Sequence, residues 1–262
     1  MRDILDLDNF AIDQPGTDAY LALVARCRAD LSAHGMFNLD DFLHACVAQD
    51  VAETLAPRFA SDAFHHTRYH NIYFEDRVAG LPTDHPALRR FLTSNFTLCA
   101  DQIEGTCLTQ VYEYAPLRAF LADVMAKEAL FMMDDPLARI NVMRYGARDA
   151  LNWHFDRSEF TVTLLLQQPQ SGGAFQYRTD LRSPNDENHD GVTRLLSGDD
   201  PNVQSMSVQA GTLNVFQGIN TPHRVTPVEG ARDRVIAVFS YYEAPGIRFD
   251  PAQQIGFYGR SA

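Results

Sequence analysis

The sequence predicts a mainly β chain with added helices: a jelly-roll-type core in the second half and an N-terminal helical region packed outside it. Three observations carry this. Apolar residues in the first half recur at helical spacing, the period switches to two after Asp135-Pro136, and eight short apolar runs then follow between Gly, Pro and Asn turns.

The first expected helix covers 17–34, with Tyr20, Leu23, Val24, Cys27 and Leu31 on one face and Gly35 as its stop. A second runs from Leu39 or Asp40 to Leu55, closed by Pro57. Two more cover 86–97 and 116–130, each with a proline near the first turn, where a missing amide donor costs little. Strands are expected at 138–145, 151–155, 160–167, 174–178, 205–209, 212–216, 223–228 and 234–242. The polar stretch 180–202, with Val192, Leu195 and Leu196 in a short amphipathic pattern, reads as a surface excursion rather than a lid. One domain over 1–262 is expected: 1–135 mostly helical support, 136–246 the core with its 180–202 insertion, and 247–262 a C-terminal tail.

A net charge of −12 argues against nucleic-acid or anionic-membrane partners and favours a small-molecule substrate. The N-terminus carries acids where a secretory signal has bases, and no apolar run is long enough to span a bilayer, so a cytoplasmic location is expected. A homodimer is compatible with these features. Cys27, Cys46, Cys99 and Cys107 show no Cys-x-x-Cys pairing and read as reduced, structural thiols.

The chemistry concentrates in Asn152-Trp153-His154-Phe155-Asp156 and in Pro222-His223-Arg224-Val225, roughly seventy residues downstream. In a strand, His154 and Asp156 point to the same face and can reach one ion, while His223 approaches from another strand. Two imidazoles and a carboxylate suit Fe(II) and leave coordination positions open. Trp153 points the other way and reads as core. Further on, 230–239 puts arginine at the mouth of an apolar strand, and a buried guanidinium needs an anionic partner such as a dicarboxylate co-substrate. Arg232 and Arg234 share parity, so periodicity does not choose between them. Asn141 and Tyr145 share a strand face and can donate hydrogen bonds into the same pocket, and Asn214 is a buried amide in need of a partner.

With these residues in view, the chain resembles the Fe(II)/2-oxoglutarate-dependent dioxygenases. The resemblance runs from Asn141 to about Gly246 through Asn141-Val142-Met143-Arg144-Tyr145-Gly146, His154-Phe155-Asp156, Ser171-Gly172-Gly173-Ala174-Phe175, Gly211-Thr212-Leu213-Asn214-Val215-Phe216 and His223-Arg224-Val225 with Arg234. It implies a double-stranded β-helix, iron held by His154, Asp156 and His223, and 2-oxoglutarate and O2 as co-substrates. More narrowly, the chain is similar to the subgroup of free amino-acid halogenases and their hydroxylase relatives, in which the arginine holding 2-oxoglutarate aligns best with Arg234. The halogenases of that subgroup have glycine where this chain has Asp156, so the resemblance implies hydroxylation.

For substrate, Arg68, His70 and Tyr73 form a polar cluster in an apolar setting, and Arg68 or His70 is expected to bind a substrate carboxylate. Asp134, Asp135, Arg157 and Glu159 are further candidates for reading a polar group; Arg157, if it faces the pocket, disfavours a cationic substrate. Competing readings are a hydroxylase of peptidyl side chains or another small metabolite, a non-catalytic metal-binding jelly-roll sensor, and a zinc hydrolase, which leaves the arginine strand unexplained.

Overall fold

The computed structural model describes all residues except Arg157, so the substrate contact expected there lies outside the described residues. Helix α1 (Asp18–His34) begins where the Thr17 side chain accepts from the Tyr20 amide and ends at Gly35, whose φ of 71° is open to glycine. Strand β1 (Met36–Leu39) follows. Helix α2 (Ala45–Ser61) passes through Pro57, the expected stop. Its last turn buries Phe59 and lets Arg58 donate to the Gln102 carbonyl (2.7 Å), which offsets the donor that proline lacks.

Strands β2 (Phe64–His70) and β3 (Phe91–Leu98) correct the sequence reading, which placed a helix over 86–97. Only Pro86–Leu88 makes a helical turn. Thr93, Asn95 and Thr97 are buried at alternate positions of β3, a period of two that a polar inward face hides. Helices α3 (Leu108–Glu113) and α4 (Ala115–Val124) come next; α4 stops short of the expected 130, and Ala126 just beyond it has φ 53°. The remaining strands are β4 (Phe131–Met132), β5 (Ile140–Tyr145), β6 (Leu151–His154), β7 (Thr161–Gln167), β8 (Ser171–Gly172), β9 (Phe175–Tyr177), β10 (Gln204–Met206), β11 (Leu213–Phe216), β12 (His223–Val225), β13 (Val228–Glu229), β14 (Arg234–Phe239) and β15 (Tyr241–Tyr242), with α5 (His189–Ser197) and α6 (Pro251–Tyr258) among and after them. Each of the eight expected strand regions contains a strand.

Two antiparallel sheets organise the molecule: a seven-stranded sheet in the order β1-β11-β7-β14-β5-β3-β2 and a four-stranded sheet β10-β9-β12-β6. Side-chain alternation gives the large sheet two different faces. Ile140, Val142, Val162, Leu164, Leu213, Val215, Val235 and Ala237 pack with α1, α2 and α4 residues such as Leu31, Leu55 and Phe120 in the main apolar core. The alternate residues, Asn141, Met143, Tyr145, Thr163, Asn214, Arg234 and Ile236, line a cavity whose other wall includes His154, Phe175, His223 and Val225 of the small sheet. The 180–202 insertion supplies Leu181, Val192, Leu195 and Leu196 to a separate cluster with Trp153, Phe155 and Ile72, so α5 packs behind the small sheet. No helix among the described residues is long and apolar enough to cross a membrane.

The C-terminal segment is tied down rather than trailing. Asp135, 0% exposed, accepts from the Leu137 and Ala138 amides (2.8 Å each) at one oxygen, and from the Phe249 amide (3.0 Å) and the Gln254 carboxamide (2.8 Å) at the other. Burial opposes its ionisation, but these donors outweigh it and hold the carboxyl below its usual range. The stability it contributes is therefore present above about pH 4 and lost as pH falls through its lowered pKa. Asp135→Ala strands four donors and should cost at least about 3 kcal/mol in urea unfolding at neutral pH. A loss below about 1 kcal/mol would show that the segment is held by other contacts.

Candidate active site

The β6–β12 pairing sets His154 directly opposite His223, with ring centroids 4.1 Å apart. Asp156 lies two residues past His154, just beyond the strand end, where its amide donates to the Gly218 carbonyl (3.1 Å). One of its carboxylate oxygens, Oδ1, stands 3.6 Å from His154 Nε2 and 3.5 Å from His223 Nε2. Ligand atoms of the three residues all lie within 4.8 Å of one another, the one such group among the described residues. A Cβ at Gly218 would come 2.1 Å from the other carboxylate oxygen, so glycine there is what lets Asp156 sit inward.

Hydrogen bonds aim each ligand. His154 Nδ1 donates to the Asn152 carbonyl (2.8 Å) and His223 Nδ1 to the Thr221 carbonyl (3.0 Å), which leaves both Nε2 lone pairs facing Asp156. The Thr161 hydroxyl donates to Asp156 Oδ2 (2.7 Å). Burial above all, and then the adjacent His223, hold His154 well below the usual imidazole range, so it is neutral and able to ligate. Phe74 packs against His154, and Phe175 and Phe216 against His223. Two imidazoles and one carboxylate, all from one side, fit Fe(II) with open positions.

The cavity beneath holds about 370 Å³. Arg234 opens β14 opposite Tyr145, is 4% exposed, and its Nη1 has no hydrogen-bond partner among the described residues. A buried guanidinium in that state fits the carboxylate of 2-oxoglutarate. Burial pushes the Tyr145 phenol up to about 12 despite Arg234, so its hydroxyl is a protonated donor beside the arginine. Extending the β3–β5 register by one residue puts Asn95 beside Tyr145, and Asn95 pairs with His66 on β2. Three strand spacings of about 4.8 Å then separate the Arg234 backbone from that of His66 by roughly 14 Å. Arg68, one inward position further along β2, also lines the cavity with its guanidinium 4.8 Å from the Phe74 ring centre.

The expected residues divide cleanly. His154, Asp156, His223, Arg234, Asn141, Tyr145, Asn214 and Arg68 all line the cavity. Asn141 is bonded within it, donating to the Leu137 and Ile140 carbonyls (3.1 Å each) and accepting from Tyr258 (2.9 Å), while Asn214 donates to Asn38 (2.7 Å). Three residues are placed elsewhere and correct the reading. Arg232 precedes β14 and is exposed. His70 donates from Nδ1 to the Asn71 carbonyl (2.8 Å) and accepts at Nε2 from Thr93 (2.7 Å), whose oxygen in turn accepts from the Asn152 amide (3.0 Å). It thus clamps the metal-ligand strand to β3. Tyr73 bonds His189 (3.0 Å) and stacks on Phe155 outside the cavity wall. Asp135 binds the C-terminal segment, and Glu159 pairs with Lys127 (2.7 Å). Sequence reasoning missed His66, Thr93, Asn95 and the C-terminal Phe249, Phe257 and Tyr258, all cavity-lining; an alternating polar pattern in β3 was the available signal.

Thr161→Val removes the hydrogen bond that orients Asp156 and should weaken Fe(II) or Co(II) binding roughly 10- to 100-fold in a metal titration. Unchanged affinity would mean that the Thr161 hydroxyl does not orient Asp156 for metal binding.

Comparison with known proteins places this geometry. The family model described as Halogenase D matches residues 89–249. A search of the curated proteins found no match. Among solved structures, a Pseudomonas putida prolyl-4-hydroxylase aligns with a TM-score of 0.52 at 18% identity, covering 82% of this chain and 97% of that one. HygX from Streptomyces hygroscopicus, crystallised with nickel and 2-oxoglutarate, aligns at 0.55 and 13% identity over 82% and 85% of the two chains. AviO1 from Streptomyces viridochromogenes aligns at 0.56 and 15% identity over 87% and 97%. These likenesses are of fold, whereas the family match spans well over half of the sequence. The chain therefore belongs to the Halogenase D family, and its His154, Asp156 and His223 group could hold a metal ion.

Proposed function

We propose that the chain is a single-domain enzyme, a double-stranded β-helix of the jelly-roll type with helices outside, that hydroxylates an unactivated C–H bond of a free amino acid or similar small metabolite. The observation that carries this reading is Asp156. Its carboxylate oxygen lies within 3.6 Å of both imidazole Nε2 atoms and so takes the position that a halogenase would leave to chloride. The cavity volume supports a small substrate over a peptide. About 370 Å³ is at the low end of the roughly 300–1,000 Å³ usual for ligand pockets, and the co-substrate shares it.

When bound, Fe(II) with 2-oxoglutarate and O2 supplies the oxidation, yielding succinate, CO2 and a hydroxylated carbon. The protein positions and shields. His154, Asp156 and His223 would hold the ion, and the Arg234 guanidinium, beside the Tyr145 hydroxyl, would receive a carboxylate of 2-oxoglutarate. Arg68 pairs with the substrate carboxylate on the other side of the cavity floor. Phe74, Phe175 and Phe216 keep water from the imidazoles, which strengthens every charge interaction inside.

Succinate formation measured across free amino acids and peptides tests the reading: stimulation by at least one free amino acid is expected, and turnover on peptides alone would remove it. Asp156→Gly should abolish hydroxylation by more than the roughly 100-fold that loss of an outer-sphere partner costs. Hydroxylation that persists in this variant at near wild-type rate would contradict the ligand assignment.

A further inference from the structure

Two histidines, His66 and His70, lie on the inward face of β2, and their surroundings differ. His70 commits both ring nitrogens to the protein, Nδ1 to the Asn71 carbonyl and Nε2 to the Thr93 hydroxyl. His66 does not. Its Nδ1 is shielded from solvent and has no hydrogen-bond partner among the described residues. Asn95, directly opposite on β3, already accepts from the Thr97 hydroxyl at its carboxamide oxygen (2.9 Å). The Phe64 ring packs edge-on against the His66 imidazole at 6.2 Å, so packing rather than a hydrogen bond at Nδ1 holds that ring.

A polar atom buried in this way destabilises the fold until a partner satisfies it. Among the described residues that line the cavity, two side chains carry such an atom: Arg234 at Nη1 and His66 at Nδ1. The first fits the carboxylate of 2-oxoglutarate. The second stands at the other end of the inner row, roughly 14 Å from Arg234 in backbone. Along β2 it lies four residues, roughly 13 Å, before His70, whose ring approaches that of His154 at 6.5 Å. His66 is also outside the group that could hold the metal. A co-substrate held between the metal position and Arg234 leaves His66 unsatisfied, so the atom that reaches it belongs to the substrate.

Burial first, then the charges of Arg68 and the neighbouring histidines, push His66 down to about 4, so its ring is neutral at physiological pH. A neutral imidazole offers one N–H and one lone pair, and it can share a hydrogen bond without placing a charge in the wall. We propose, resting on the oxygenase reading above, that His66 is a substrate-binding residue whose Nδ1 forms a hydrogen bond with a polar group of the substrate, at the end of the cavity remote from Arg234. This makes His66 specificity-determining. The substrate class it selects carries a hydrogen-bonding group at that end, and a molecule that presents only hydrocarbon there leaves Nδ1 unpaired and binds weakly.

The test is binding to the anaerobic holoenzyme. Purified protein is loaded with Fe(II) and 2-oxoglutarate until the visible charge-transfer band forms, and the twenty common L-amino acids are titrated singly against that band. At least one should perturb it. For the tightest binder, His66→Phe, which fills similar space without a hydrogen-bonding atom, should raise Kd about tenfold or more and leave the affinity for 2-oxoglutarate within about twofold. His66→Asn, whose carboxamide stands close to the position of Nδ1, should recover most of the loss. Wild-type affinity in His66→Phe, an equal loss in both variants, or a parallel loss of 2-oxoglutarate affinity would each overturn the proposal, the last two by showing that His66 only shapes the wall. If the band forms and no amino acid perturbs it, the free amino-acid reading falls and the proposal with it. Failure of the band to form with Fe(II) and 2-oxoglutarate alone overturns the oxygenase reading itself.

Discussion

The pairing of His154 with His223 across two antiparallel strands is the contact on which the rest of the site depends. Directly opposed residues in such a pair have side chains only about 5 Å apart on one face, so the register alone brings two imidazoles together. Everything nearby serves to keep them there. Backbone carbonyls of Asn152 and Thr221 fix both tautomers, the His70–Thr93–Asn152 chain of hydrogen bonds ties β6 to β3, and Gly218 leaves the room that Asp156 occupies. A one-residue slip of either strand would turn a ligand away from the cavity and dissolve the site.

The large sheet separates two environments, and alternation along its strands does the separating. Val142, Leu164 and Ala237 face a dry core under the helices, while Asn141, Thr163 and Arg234 face the cavity one residue away. Burying a guanidinium on the inner face is costly in the absence of an anion. That cost is the signature of a binding site: the stability spent on Arg234 is recovered when an anionic co-substrate arrives. The helices matter to function because their apolar faces hold this sheet at a fixed register, and with it the row that runs from Arg234 through Tyr145 to Asn95 and His66.

Much of this was legible in the residues. Strands β7, β11 and β14 are short apolar runs between turns, and the ligand triad sits in two short local motifs, so a mainly β chain with a candidate metal centre followed from the chain itself. The losses share one cause. Strands β2 and β3 direct His66, Arg68, Thr93, Asn95 and Thr97 inward, so the buried face is the polar one and hydrophobic periodicity misreads it; Pro86 then imitates a helix start. Arg232 and Arg234 share parity, so periodicity left both open and only the family resemblance favoured Arg234; the strand begins at Arg234 and buries it, while Arg232 stays exposed. The C-terminal residues read as a tail because nothing local reveals that Asp135, over a hundred residues earlier, holds them against the cavity.

The most direct measurement of the central claim is a crystal structure grown anaerobically with Fe(II) and 2-oxoglutarate. The iron should be bound by Nε2 of His154, Nε2 of His223 and one oxygen of Asp156, with a carboxylate of 2-oxoglutarate on the Arg234 guanidinium and a coordination position left open. Iron held without Asp156, or closed off by a fourth protein ligand, or a co-substrate bound away from Arg234, would contradict it.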